Sequence, residues 1–184
     1  GAGAAGMMCA IEAGKRGRRV LVIDHATAPG EKIRISGGGR CNFTNINAAP
    51  ANFLSANPHF AISALRRYTA KDFVAWVERE GIAYHEKTLG QLFCDGSAKE
   101  IIAMLTRAMQ AAGVTLRLKT TVERVEPEDE GFSLATSGGP VRCASLVVAT
   151  GGKSIPKMGA TGFGYEIARQ FGLNLVETRP ALVP

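Results

Sequence analysis

The chain opens on Gly1-Ala2-Gly3-Ala4-Ala5-Gly6, a GxGxxG run, and its surroundings narrow the folds available. Glycines at these three positions permit a tight turn, let the main chain approach a diphosphate, and let a helix pack closely on a strand. The pattern carries that meaning only in company with a strand and a helix. Residues 4–16 supply the helix: Met7, Met8, Cys9 and Ile11 give it an apolar side among small residues, and Gly14 and Gly17 help end it. Val20-Leu21-Val22-Ile23 then reads as a parallel strand covered on both faces, closed by Asp24. Asp24 stands 18 residues after Gly6, where an acid accepts ribose hydroxyls and disfavours a 2′-phosphate. The helix N-terminus offers N–H groups and a positive dipole end to the diphosphate. A glycine turn beside a surface Asp would share these letters, but helix, strand and acid in order favour a dinucleotide. The expected class is α/β: a Rossmann-like, doubly wound parallel sheet.

Downstream, residues 25–57 read mostly as loop, rich in Gly, Pro and Asn. A loop of that length in a compact chain is usually functional. Helices are predicted at 58–67 and 69–80, the second opened by Thr69 with Asp72 in its first turn. Short strands are predicted at 82–86 and 91–94, around Gly90. Ser97-Ala98-Lys99-Glu100 is a capping box, and the helix after it lines up Ile101, Leu105, Ala108 and Ala112. Segments 114–118, 120–126, 131–136 and 140–143 read as strands, adding a small antiparallel hairpin layer whose acidic end is Glu126–Glu130. Leu146-Val147-Val148-Ala149 reads as another buried strand, and Gly159–Gly164 leads to a helix at 164–171.

Composition removes other classes. Apolar residues at 46% and charged residues at 21% are ordinary for a globular chain. No apolar run approaches the ~20 residues of a membrane span. Cys9, Cys41, Cys94 and Cys143 form no CxxC pair, so neither a disulfide framework nor a zinc site is expected, and free thiols point to the cytoplasm. The net charge is +6, and residues 1–71 hold ten Lys/Arg against three Asp/Glu. A basic surface attracts phosphates, but on charge alone a solvated surface is the better reading.

Three further segments carry chemistry. Ser36-Gly37-Gly38-Gly39-Arg40-Cys41-Asn42 strips side chains from a loop and exposes N–H donors suited to an anion or a flat ring. Arg40 can fork onto a phosphate or carbonyl, and Cys41 is a candidate proton donor or flavin neighbour. Thr150-Gly151-Gly152 leaves a strand where α/β sheets place ligands. A buried, inert thiol is the default reading of both Cys41 and Cys94, with catalysis the lesser reading of each. His59 and His85 lack ligand-spaced partners, so no metal is expected, and His85 and Glu86 point to opposite faces of a strand. Neither GxSxG nor GxxxxGK[ST] is present.

GAGAAG, ISGGGRCNFTN (35–45), HEKTLGQLFCDGSAK (85–99), VVATGG (147–152) and GATGFGY (159–165) together resemble the BaiN/RdsA family, bacterial NAD(P)/FAD-dependent oxidoreductases also described as YhiN-like flavoproteins. The resemblance spans essentially the whole chain, and SGGGRCN followed by TN is its most specific part. It implies FAD in the GxGxxG fold, with Gly1, Gly3, Ala5 and Gly6 at the pyrophosphate and Asp24 at the adenosine ribose. Ser36 through Asn42 would approach the flavin, Thr150, Gly151 and Gly152 would lie at the strand exit, and Val122 by the adenine. Where the family places Gly-Arg or Gly-Lys, this chain has Gly30-Glu31-Lys32, leaving Lys32 as the basic member. Residues 1–184 are then expected to be an incomplete FAD-binding domain, truncated at both ends: a first strand, an inserted substrate domain and a C-terminal FAD segment would be absent. The implied activity is C=C reduction by hydride from reduced flavin, recharged by NAD(P)H. The branch resembled points to a uridine of large-subunit ribosomal RNA, with a small enone such as a dehydro bile acid as the alternative. A non-catalytic nucleotide-sensing module is disfavoured by the Cys- and Arg-bearing loop.

Overall fold

The glycine turn feeds helix α1 (Ala4–Lys15), with Gly3 as its N-cap, and strand β1 (Leu21–Ile23) follows. The computed structural model describes residues 1–153 and 161–179. β1 pairs in parallel with β5 (Thr115–Arg117), Leu21 opposite Thr115 and Ile23 opposite Arg117. Helix α5 (Ala98–Ala111) precedes β5, started by the predicted capping box: the Ser97 hydroxyl accepts from Lys99 N–H, and the Glu100 carboxylate accepts from Ser97 N–H. Met7, Ala10 and Ile11 of α1 and Ile101, Met104, Leu105 and Met109 of α5 meet in the main core, joined by Val22 and Val77. Each large apolar side chain so covered contributes about 1.5–3 kcal/mol. That burial holds α1, and the turn at its head, in a fixed position.

The segment 25–57 departs from the loop expected of it. Gly30, at φ +73°, turns the chain into a short helix α2 (Glu31–Ile35). Glu31 in its first turn and Lys32 and Arg34 in its last suit the helix dipole, and Ile33 packs on the core. A 3-10 turn, Ser36–Gly39, and strand β2 (Asn42–Asn45) follow. β2 pairs antiparallel with β4 (Gln91–Cys94), which pairs with β3 (Tyr84–Glu86), in the order β2-β4-β3. The pairing of β2 with β4 reaches across some fifty residues, so no local pattern announces it. Helix α3 (Ile62–Arg67) starts later than predicted, because Asn57 accepts from His59 N–H and holds 57–59 in a turn. Helix α4 (Ala70–Arg79) begins at the Thr69/Asp72 capping box.

A second layer is antiparallel: β6 (Val122–Glu128), β7 (Gly131–Thr136) and β8 (Val141–Cys143), in that order. Helix α6 (Phe163–Gln170) covers it, with Val125, Leu134 and Ile167 forming a smaller core. Gln170 Nε2 donates to the Val125 carbonyl at 2.5 Å, tying helix to hairpin. The Rossmann-like class with an antiparallel layer is the one observed. The strand expected over 146–149 is not. Among the described residues this run pairs with no strand, and Val147 and Val148 are 60% and 45% exposed. An apolar run becomes a strand only where a ladder partner satisfies its backbone; here Leu146 packs on the smaller core and Ala149 on the glycine turn. Gly159 and Ala160 of the predicted 159–165 motif lie outside the described residues.

Candidate functional site

The structure gathers several of the expected residues round the head of α1. Ala2 N–H donates to Asp24 Oδ2 at 2.5 Å, Ala26 N–H to Oδ1 at 2.8 Å, and Gly30 N–H to the Ala2 carbonyl at 2.9 Å. Asp24 therefore binds the glycine turn to the end of β1. Thr120 N–H donates to the Asp24 carbonyl and Lys119 N–H to that of Ala26, both at 3.0 Å. These bonds bring the chain leading into β6, and Val122 at its start, alongside Asp24.

Bare glycines are required here for space. A Cβ on Gly6 would collide with the Gly1 carbonyl oxygen, and one on Gly1 with the Ala149 carbonyl oxygen. Gly3 is the opposite case: a Cβ there would meet nothing within 4 Å. The turn is thus wedged on one side and open on the other. Ala5 is exposed beside the opening, and no side chain caps the first turn of α1 or places an acid in it. Its N–H groups are left to an anion. From α2, Lys32 Nζ donates to the Gly152 carbonyl at 3.3 Å, and a Cβ on Gly151 would lie 3.7 Å from the same nitrogen. Thr150 packs against Gly164 at the start of α6. The strand-exit residues therefore border the glycine turn although the strand itself does not form.

The basic cluster after α1 lies elsewhere. Twelve residues of helix, about 18 Å, separate Lys15 from the glycine turn. Lys15 and Arg16 both pair with Glu12, at 3.2 and 3.3 Å. These charges complement the C-terminal end of the dipole and are not phosphate ligands of the turn.

The loop 36–42 is a run of left-handed backbone: Gly37 at φ +58°, Gly38 at +65°, Gly39 at +87° and, without a glycine's freedom, Cys41 at +54°. Ser36 Oγ donates to the Ile33 carbonyl, and the Ser36 carbonyl accepts from Cys41 N–H. A Cβ on Gly37 would come within 2.7 Å of the Asn42 nitrogen and of the Phe93 ring, whereas Gly38 faces open space. Gly38 and Asn42 are exposed. Cys41 is 4% exposed and belongs to the main core. Burial pushes its thiol up, and a hydrogen bond with Ser36 opposes that in smaller measure. Cys94, fully buried, is pushed up to about 12, first by burial and then by the neighbouring Cys41. Both are neutral thiols at ordinary pH, which fits the inert core role expected of Cys94.

One pair was not foreseen from the sequence. His85 Nδ1 lies 2.6 Å from Asp95 Oδ1, and the imidazole stacks on Phe93 with centroids 6.2 Å apart and planes at 16°. The partner is Asp95 and not the adjacent Glu86. His85 stands opposite Phe93 in the ladder, so residue 95 falls diagonally across from it. The two predicted strands around Gly90 carried that signal, given a register. Among the described residues no cluster of His, Cys, Asp or Glu could hold a metal, and no helix is long and apolar enough to cross a membrane.

Comparison with known proteins agrees with this geometry. The model of the HI0933-like protein Rossmann domain matches residues 1–179. The chain is 55% identical over its whole length to the ribosomal RNA dihydrouridine synthase of Escherichia coli, covering 46% of that protein. It is 48% identical to the ribosomal RNA dihydrouridine synthase of Haemophilus influenzae, again over the whole chain and 47% of the relative. The chain thus spans about half the length of these relatives. Glycine oxidase from Geobacillus kaustophilus shares the fold, with a TM-score of 0.59 at 18% identity over 95% of this chain and 57% of that one.

Proposed function

Because this chain belongs to the HI0933-like Rossmann domain family, we propose that it is the dinucleotide-binding part of an FAD-dependent oxidoreductase that reduces a C=C bond, its substrate a uridine of large-subunit ribosomal RNA. The observation that carries the reading is the glycine turn, closed against Ala149 and open at Gly3, with Asp24 fixed beside it. A diphosphate fits such a cradle because main-chain N–H groups and a helix dipole meet it without a side chain between. Gly1, Gly3, Ala5 and Gly6 would hold the pyrophosphate. Asp24 would accept from the adenosine ribose with the lone pairs that Ala2 and Ala26 leave free, and Val122 would border the adenine. Ser36 to Asn42 would face the flavin end, with Cys41 as a buried flavin neighbour. Lys32, bonded to Gly152, would keep the strand exit Thr150–Gly152 closed over the cofactor. FAD held there would, once reduced by NAD(P)H, supply the hydride and return to its oxidised form. The ribosomal RNA substrate rests on the 55% identical relative.

Three measurements test this. Purified full-length protein is expected to carry a flavin spectrum; colourless protein that cannot be reconstituted ends the enzyme reading and favours a nucleotide-sensing module. Asp24→Ala is expected to weaken FAD by about 1–3 kcal/mol, the cost of losing a charged hydrogen-bond partner, and unchanged affinity removes Asp24 from the site. Dihydrouridine mapping of ribosomal RNA from a deletion strain is expected to show one modification missing; unaltered RNA points to a small enone instead.

A further inference from the structure

We propose that His85, oriented by Asp95, is the proton donor of the C=C reduction, an inference that rests on the function proposed above. The reaction needs such a group. One carbon receives hydride, two electrons and a proton's mass, from reduced flavin. The C=C π pair then resides on the neighbouring carbon and the carbonyl conjugated to it, and that carbon must take a proton. Transfer of the Nε2 proton of imidazolium completes the saturated bond and leaves neutral His85, which reloads from water. Addition of H⁻ and H⁺ balances the step, with the flavin as reductant.

Geometry places His85 for this. The Asp95 carboxylate can only accept, so at 2.6 Å it fixes Nδ1 as a donor and turns Nε2 away as the working nitrogen. Stacking on Phe93 sets the plane of the ring. The same Phe93 packs against the bare Gly37 of the loop given to the flavin end, so one aromatic ring separates His85 from that loop. The bond from Cys94 N–H to the Arg40 carbonyl, 2.9 Å, ties the same strand to the loop a second time. Among the described residues, two charged groups face this cluster: Asp95, after the end of β4, on the imidazole itself, and Lys87, just beyond β3, with Nζ 5.3 Å from the centroid of the Phe93 ring on which the imidazole stacks. Of these, Asp95 is the group that hydrogen-bonds the imidazole. By contrast Cys41 lies in the core, where a substrate carbon does not reach.

The test uses full-length protein with FAD and a uridine-containing ribosomal RNA fragment. His85→Gln is expected to lower kcat by about 100-fold or more, the usual contribution of a general acid, with KM and FAD affinity within twofold. The wild-type fall in kcat at high pH is expected to vanish in that variant. Asp95→Asn is expected to lower kcat in the same direction with KM unchanged, and the hydrogen-bonded Nδ1 proton of His85 to be lost from the NMR spectrum. His85→Ala is expected to recover turnover when imidazole is added. His85 is 43% exposed, so these changes leave the fold intact. Wild-type turnover with His85→Gln within twofold of it and an unchanged pH profile overturns the inference alone. Absence of wild-type turnover on RNA, with flavin bound, overturns the RNA reading and the inference together.

Discussion

Gly3 and Gly6 share a motif but have separate duties, and substitution separates them. A Cβ at Gly6 strikes the Gly1 carbonyl, so Gly6→Ala is expected to cost about 1–3 kcal/mol of stability, as overpacking does. Gly3→Ala meets nothing and is expected to keep stability within about 0.5 kcal/mol while weakening FAD, since its methyl would enter the space proposed for the phosphate. Urea unfolding and FAD titration of the two variants read the contrast; equal loss of cofactor affinity and stability in both would contradict it. Cys94 gives a pH dependence of definite sign. Its thiol is held near 12 in the fold against an ordinary value of 9.0, so the protonated form is favoured on folding. That stabilisation is complete below about pH 9 and is lost as pH rises toward 12, by up to about 1.4 kcal/mol per pH unit. Between pH 8 and pH 10 under reducing conditions, the urea midpoint is expected to fall for wild type and to fall less for Cys94→Ala. The glycines and Asp24 were legible in the sequence because backbone chemistry leaves a local signature. The pairing of His85 with Asp95 was not, because it depends on the register of β3 against β4.

Elements were legible where capping groups mark them. Thr69 with Asp72 and Ser97 with Glu100 locate the starts of α4 and α5 to the residue. Ser97→Ala is expected to cost about 1 kcal/mol through the missing cap, seen as a lower urea midpoint with an unchanged slope. The hairpin layer was legible from alternation, and β6 runs to Glu128, carrying part of the acidic run with it. Two kinds of element were hidden. Helix α2 has five residues, too few to show a period, and depends on Gly30 in the left-handed region. The run 146–149 has the letters of a strand but no partner among the described residues, and only partners make strands.

Across the whole molecule, charge and site are separated by the length of α1. Arg18 and Arg19 stand beyond its far end, away from the glycine turn. Replacing both with Ala is expected to leave FAD affinity unchanged. If this end meets RNA, the slope of log affinity for RNA against log salt is expected to flatten by about 0.7 for each phosphate that the two arginines neutralise, measured by binding titrations from low to moderate salt. The sequence revealed the imbalance of charge, but only the fold separates the cluster at Lys15–Arg19 from the glycine turn. The anchoring of Asp24 has one more consequence. Its two oxygens are engaged by Ala2 and Ala26 within the protein itself, so the carboxylate proposed to receive the ribose is held in place before any guest arrives. Little ordering remains for association to impose at this end, and amide exchange at Ala2 and Ala26 is expected to be slow with or without the proposed guest.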